Sequence, residues 1–220
     1  MTKLQTEMIA PRSYDPLPSI WDGDDFELLE KMIQFYPKTE PTRILDATVN
    51  VGRFWKNSSR DIVGLDINLQ CRPNFHGTSE FLPINSGSLD AVVYDPPHVP
   101  NQGRDNQKDF EFRFGLGAKS SIDTNYSFSH TYPAFVSEAL RVLKHEGVLF
   151  CKITDYIHNH QFQWAHVDFI QAATEAGFHA CDCIVKIRKG PIIDSRWKIA
   201  HHAQKQHCYW LVFRKSDRCE

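Results

Sequence analysis

The stretch "LDAVVYDPPHVP", Leu89 to Pro100, decides how the rest of this 220-residue chain is read. Its first half is an apolar run of strand length, and its second half is an acid, two prolines and a histidine. Two consecutive prolines remove two backbone donors and fix two φ angles. A strand that stops there ends rigidly. It holds the Asp95 carboxylate in place, together with carbonyls at Asp95 and Pro96 that no neighbouring strand requires. These are acceptors aimed at a donor, and an amine fits. The His98 ring adds a flat surface for stacking or one more polar contact. A structural Pro-Pro turn would explain neither the carboxylate nor the long polar segment behind it, residues 99–131.

Outward from this strand, the pattern alternates strands with helices. "DDFELLEKMIQFY" predicts a helix with Phe26, Leu29, Ile33 and Tyr36 on one face, capped by Asp22 or Asp24. "RILDA" and "DIVGLDI" read as strands, with "GRFWKNSS" between them as a short helix or turn. "YPAFVSEALRVL" is a helix, "KHEG" a turn and "GVLFCKI" a strand. "WAHVDFIQAATEAG" is a helix ended by Gly177, and "FHACDCIVKIRK" and "QHCYWLVFRK" are the last strands. Such alternation implies an α/β fold with a doubly wound, mostly parallel sheet. The final two strands have only a loop between them, so the last one pairs antiparallel. Residues 1–20 read as an irregular arm and 21–216 as a single domain containing the long loop 99–131. A loop of that length in a compact domain is usually functional or disordered.

Composition is that of an ordinary globular domain, with a formal net charge of -2. No apolar run is long enough for a transmembrane helix, and the N-terminus lacks a signal-peptide h-region. Six scattered cysteines form neither CxxC pairs nor a zinc pattern, so a reduced, cytoplasmic protein without a metal is expected. "YIHNHQFQW", with His158 and His160, reads as a hydrophilic loop beyond a strand rather than a metal site, and Cys208 as core. From Lys186 to Lys215 eight Lys/Arg face the single acid Asp194, a local basic stretch able to meet phosphates.

In open α/β sheets, ligands lie beyond the carboxyl ends of the strands. "LDATVNVGRFW" places Asp46 at one such end, followed by a small-residue turn. There Gly52 is conformationally permissive, and Asn50 is the non-glycine type that best tolerates the left-handed region. Asp66 ends the next strand roughly 20 residues later, the interval at which an acid meets ribose hydroxyls in nucleotide-binding sheets.

With "LDATVNVG", "VGLDI" and "SEALRVLKHEGVLFCKITD" around it, "DPPH" resembles the catalytic motif of the S-adenosylmethionine-dependent DNA amino-methyltransferases, the N6-adenine and N4-cytosine enzymes. The motif order is similar to their gamma-type arrangement. The resemblance, from about Ile20 to Lys215, implies a class I (Rossmann-like) methyltransferase fold with S-adenosylmethionine as cofactor. It implies that Asp46, Thr48, Asn50 and Gly52 line the methionine end, that Asp66 holds the ribose and that Ile67 lies against the adenine. Ser79 stands where an acid before "LP" would bond the adenine amine, with Glu80 next to it, and Trp21 and Asp22 precede the first core strand as further cofactor contacts. Asp95, Pro96, Pro97 and His98 would hold the flipped base and its amine.

The implied substrate is DNA. Arg104, Lys108, Arg113 and Lys119 interleave with phenylalanines in the long loop, and Lys186, Arg188, Lys189, Arg196 and Lys198 lie between the last strands. These are the expected nucleic-acid contacts. The chain has no separate target-recognition domain, so its loops read a short site, a partner subunit supplies specificity, or the substrate is RNA. An inactive methyltransferase-like subunit that binds nucleic acid is the remaining alternative.

Overall fold

The computed structural model describes residues 16–97, 128–158, 160–188, 199 and 201–216. Strand β1 (Ile20–Trp21) leads into helix α1 (Asp25–Phe35), followed by β2 (Ile44–Asp46), β3 (Ile62–Asp66), β4 (Phe75–His76) and β5 (Leu89–Tyr94). Helix α2 (Tyr132–Val142) runs into β6 (Leu143–Ile153), then the short strands β7 (Tyr156–His158) and β8 (Gln161–Gln163). Helix α3 (Ala165–Ala176), β9 (His179–Ile187) and β10 (His207–Arg214) complete the order. The main sheet runs β1-β9-β10-β6-β5-β2-β3-β4. Strands β2 to β6 pair in parallel, and β10 lies antiparallel between β6 and β9, as its loop-only connection requires.

The apolar runs are continuous because both sheet faces are covered. On β5, Val92 and Tyr94 join the cluster under α2 and α3, with Phe135, Phe169, Leu211 and Phe213. Ala91 and Val93 join the opposite cluster under α1, with Val148, Phe150, Trp210 and Val212. Each large side chain buried in this way contributes about 1.5–3 kcal/mol of hydrophobic free energy. Gly177, at φ 114°, closes α3 as the sequence predicts, because a residue with Cβ resists the left-handed cap.

Several local expectations change. The buried face of α1 is Leu28, Leu29, Met32 and Ile33, while Phe26 turns toward the cleft described below and Tyr36 lies past the helix end. Asp24 occupies the N-cap, yet its side chain bonds no helix N–H. "GRFWKNSS", in contrast, keeps to one of its two expected forms, a turn, held by the burial of Phe54 and Trp55. "KHEG" is a bulge inside β6 rather than a turn before it: Glu146 takes φ 64° and the β5–β6 register shifts there. In "YIHNHQFQ", Tyr156–His158 and Gln161–Gln163 pair as antiparallel strands, β7 with β8. Ile20 is already paired, with Val185 of β9.

Candidate active site

The site is built at the carboxyl ends of β2, β3 and β5. After β2 the chain stays bonded to both neighbours: the Ala47 N–H donates to Val93 O at 2.9 Å and the Val49 N–H to Leu65 O at 3.0 Å. Gly64 lets this turn lie close, since a Cβ there would come within 2.9 Å of the Val49 side chain. Asp46 organises the turn from inside. Its carboxylate accepts from the Thr48 N–H (3.0 Å) and the Trp55 indole N–H (2.7 Å), and the residue is 1% exposed. Burial pushes its pKa up to about 7; the bonds from Trp55 and Thr48 oppose this, and the nearby Asp95 and Asp66 carboxylates add to it.

Asp66 holds the other side of the turn. One oxygen accepts from the Asn50 N–H at 2.7 Å and the other from the Asn68 N–H at 2.8 Å. The first of these bonds holds Asn50 at φ 47°, the left-handed conformation expected of it. Each Asp66 oxygen keeps a further lone pair, and the residue lines the cleft.

Thr48 joins the β2 end to the β5 end. The Asp95 N–H donates to Thr48 Oγ1 at 2.8 Å. Before it, Tyr94 is buried and stacked on Phe135 at 3.6 Å. Asp95 therefore emerges from a strand end fixed on both sides. Two chambers meet at this point, sharing Thr48, Asn50, Asp95, Pro96 and Pro97. One has about 720 Å³ of open space and extends along Asp66, Ile67, Ser79 and Glu80. The other has about 1830 Å³ and extends along Asp25, Phe26, Arg53 and Lys152.

The structure thus brings together Thr48, Asn50, Asp66, Ile67, Ser79, Asp95, Pro96 and Pro97. Three expected contacts lie elsewhere. Asp46 lines neither chamber, because its carboxylate is spent on the turn's own N–H groups. Gly52 lines neither; its φ of 69° serves the turn closed by its N–H to Val49 O. Trp21 lines neither, since its indole folds over Gly23 and donates to Asp24 O at 3.1 Å. The N-terminal residues at the cleft are instead Asp24, Asp25 and Phe26.

Among the basic candidates, Lys186 is 9% exposed and donates to Ile187 O at 2.9 Å, so burial removes it from the expected phosphate contacts. Arg188 is half-buried at the end of β9. His98, Arg104, Lys108, Arg113, Lys119, Lys189, Arg196 and Lys198 lie outside the described residues. Sequence reasoning missed Lys152 and Asp25. The available signal was a lysine interrupting the apolar strand "GVLFCKI", since a charge there needs a partner. Among the described residues no three His, Cys, Asp or Glu side chains converge as a metal site, and no helix is long and apolar enough to cross a membrane.

No protein-family model matches the sequence, and no curated protein matches it. Solved structures do. A protein of Bacillus halodurans C-125 assigned to the methyltransferases aligns with a TM-score of 0.57 at 14% identity, over 88% of this chain and 100% of its own. A SAM-dependent methyltransferase of Methanosarcina mazei aligns with a TM-score of 0.51 at 13% identity, over 84% of this chain and 97% of its own. A protein of Thermus thermophilus assigned as a DNA modification methylase aligns with a TM-score of 0.40 at 17% identity, over 61% of this chain. The chain spans about half of that protein, 47%. With the sheet order, the first two likenesses establish the fold: class I, Rossmann-like, as the methyltransferases have it.

Proposed function

We propose that this protein transfers a methyl group from S-adenosylmethionine to an exocyclic amine of a nucleobase in DNA, N6 of adenine or N4 of cytosine. The observation that carries the reading is the place of Asp95, Pro96 and Pro97: a rigid acceptor set where two chambers of a methyltransferase fold meet. The smaller chamber suits the cofactor. Its wall pairs the Asp66, Glu80 and Asp95 carboxylates with the apolar surface of Ala47, Ile67 and Pro96. There Asp66 would accept from the ribose hydroxyls, Ile67 would cover the adenine, and Ser79 or Glu80 would meet its amine. When bound, the cofactor would supply a methyl made electrophilic by its sulfonium, the S–C bond breaking as the N–C bond forms and the electron pair returning to sulfur as a neutral thioether.

The chain's own residues then have one main task, alignment. A base amine is a poor nucleophile because its lone pair is delocalised into the ring. Asp95 Oδ and the Pro96 carbonyl, each accepting one N–H, favour a pyramidal nitrogen with its lone pair directed at the methyl. As the N–C bond forms, an N–H proton becomes acidic and leaves to the Asp95 carboxylate or to water. Asp95 acts as an acceptor before it acts as a base.

A surface beyond the end of β6 supports a nucleic-acid substrate over a small amine. Trp164 is 58% exposed and packs on Phe162 at 4.5 Å, and the Lys205 ammonium sits 3.8 Å over the Phe162 ring. Stacking surface beside positive charge is what single-stranded bases and phosphates require. Nucleoside mass spectrometry on DNA and RNA from cells expressing the wild type or Asp95→Ala tests the reading. A methylated deoxynucleoside present with the first and absent with the second is the expected result. Label confined to RNA would reassign the substrate, and the absence of any methylated base would overturn the reading.

A further inference from the structure

The larger chamber contains a cation that the proposed chemistry has not yet used. Lys152 lies on β6 directly opposite Trp210 of β10, and Tyr94 of β5 pairs with Cys151. One step further along these parallel strands sets Asp95 beside Lys152. Side chains alternate between sheet faces, so Asp95 follows Ala91 and Val93, and Lys152 follows Val148 and Phe150, onto the face covered by α1. The lysine side chain is 15% exposed, and both residues line the same chamber. Its ammonium is 2.8 Å from Asp25 Oδ2 at the start of α1 and 5.4 Å from the centre of the Phe54 ring. The second oxygen of Asp25 accepts from the Trp210 indole N–H at 3.0 Å. Lys152 is thus held by Asp25, Asp25 by Trp210, and the chain of contacts ends at the acceptor site.

We propose that Lys152 is a positioning residue for methyl transfer: fixed by Asp25, its ammonium keeps the Asp95 carboxylate ionised and oriented to accept the amine N–H. This rests on the methyl-transfer reading above. The need for a cation comes from the surroundings. Asp46, at the end of β2, interacts electrostatically with Asp95 and with Asp66 of β3, so acids gather at this strand edge, Asp46 itself gaining charge only as pH rises through about 7. Asp25 adds a further carboxylate from α1, Cys208 faces the group from β10, and Arg188 contributes weaker positive charge at the end of β9. Without Lys152 these carboxylates would favour a protonated Asp95, which donates rather than accepts. The lysine itself stays charged: burial pulls its pKa down, but Asp95 and Asp25 together outweigh burial and leave it raised.

The test reads Asp95 directly, whether or not the protein transfers methyl groups. Protein labelled with ¹³C at the aspartate carboxyl is titrated by NMR, with the Asp95 signal assigned from Asp95→Asn. In Lys152→Met the Asp95 midpoint moves up by about one pH unit or more. Lys152→Arg returns it toward the wild-type midpoint. Asp25→Asn moves it down, since one carboxylate is removed and the ammonium is left to Asp95, and this variant decides the matter if Lys152→Met does not fold. A folded Lys152→Met or Asp25→Asn protein with the Asp95 midpoint unmoved overturns the inference. Where methyl transfer is measurable, the acid limb of the kcat profile of Lys152→Met moves with the NMR midpoint, while the KM for S-adenosylmethionine changes by less than about threefold. If no nucleic acid is methylated yet the midpoints move as stated, the reaction reading fails and the electrostatic one stands.

Discussion

Asp46 and Asp95 stand at the ends of adjacent parallel strands, at the same edge of the same sheet, yet they serve opposite purposes. Asp46 is buried, with both oxygens taken by N–H groups of its own chain. At Asp95 it is the backbone that is tied down, through Thr48, while the residue lines both chambers. The contrast comes from the residues that succeed each strand. After Asp46 a flexible turn folds back and surrounds the carboxylate with donors. After Asp95 two prolines cannot fold back and have no N–H to offer. A strand-end acid is structural where the chain returns to it and chemical where the chain cannot.

The largest test of this contrast is Asp95→Ala. Single-turnover methyl transfer should fall about 10³-fold, the scale of losing a positioned acceptor and base, while calorimetry shows cofactor binding little changed. Transfer at the wild-type rate would erase the distinction. Next comes Asp46→Asn, which should act on stability and not on chemistry. With a native pKa of about 7 against an ordinary 3.8, the folded state retains the Asp46 proton while the unfolded state releases it. The contribution of Asp46 is therefore fully present below the ordinary value of 3.8 and is lost as pH rises through about 7. The scale is roughly 4 kcal/mol. In the Asp46→Asn protein this slope disappears, as urea titrations at several pH values would show.

Asp66→Ala sharpens the comparison from a position between the two extremes, because its carboxylate both supports the turn and lines the chamber. The Kd for S-adenosylmethionine should rise about 10–100-fold, the range for losing hydrogen bonds to a charged group, with a modest loss of Tm. An unchanged Kd would make Asp66 as purely structural as Asp46. Smallest is Thr48→Val, which removes the acceptor of the Asp95 N–H. About 1 kcal/mol of stability and a several-fold loss of kcat are expected, by denaturation and steady-state assays.

The fold was largely legible in sequence because hydrophobic period and connection length are local quantities. The apolar runs at 89–94 and 207–214 announce strands covered on both faces, and a loop-only link forces the antiparallel pairing of β10. The helix face of α1 was misjudged for a physical reason. Phe26 is apolar but sits in the first turn, where the cleft rather than the core is its neighbour. Bulges and short edge strands, such as Lys144–Gly147 and Phe75–His76, depend on a neighbouring strand and leave little periodic trace.

By itself the sequence determined that Asp95 would end a strand rigidly, because proline restricts its own backbone wherever it is placed. It also determined that acids would stand at the ends of β2 and β3. Only the tertiary structure decided which of those acids would be spent on backbone N–H groups and which would reach the cleft. It alone set Lys152 of β6 at 2.8 Å from Asp25 and in the chamber that Asp95 lines, residues far from it along the chain. Charge acts through space, and the distances that set its strength exist only once strands, helix and turn have packed together.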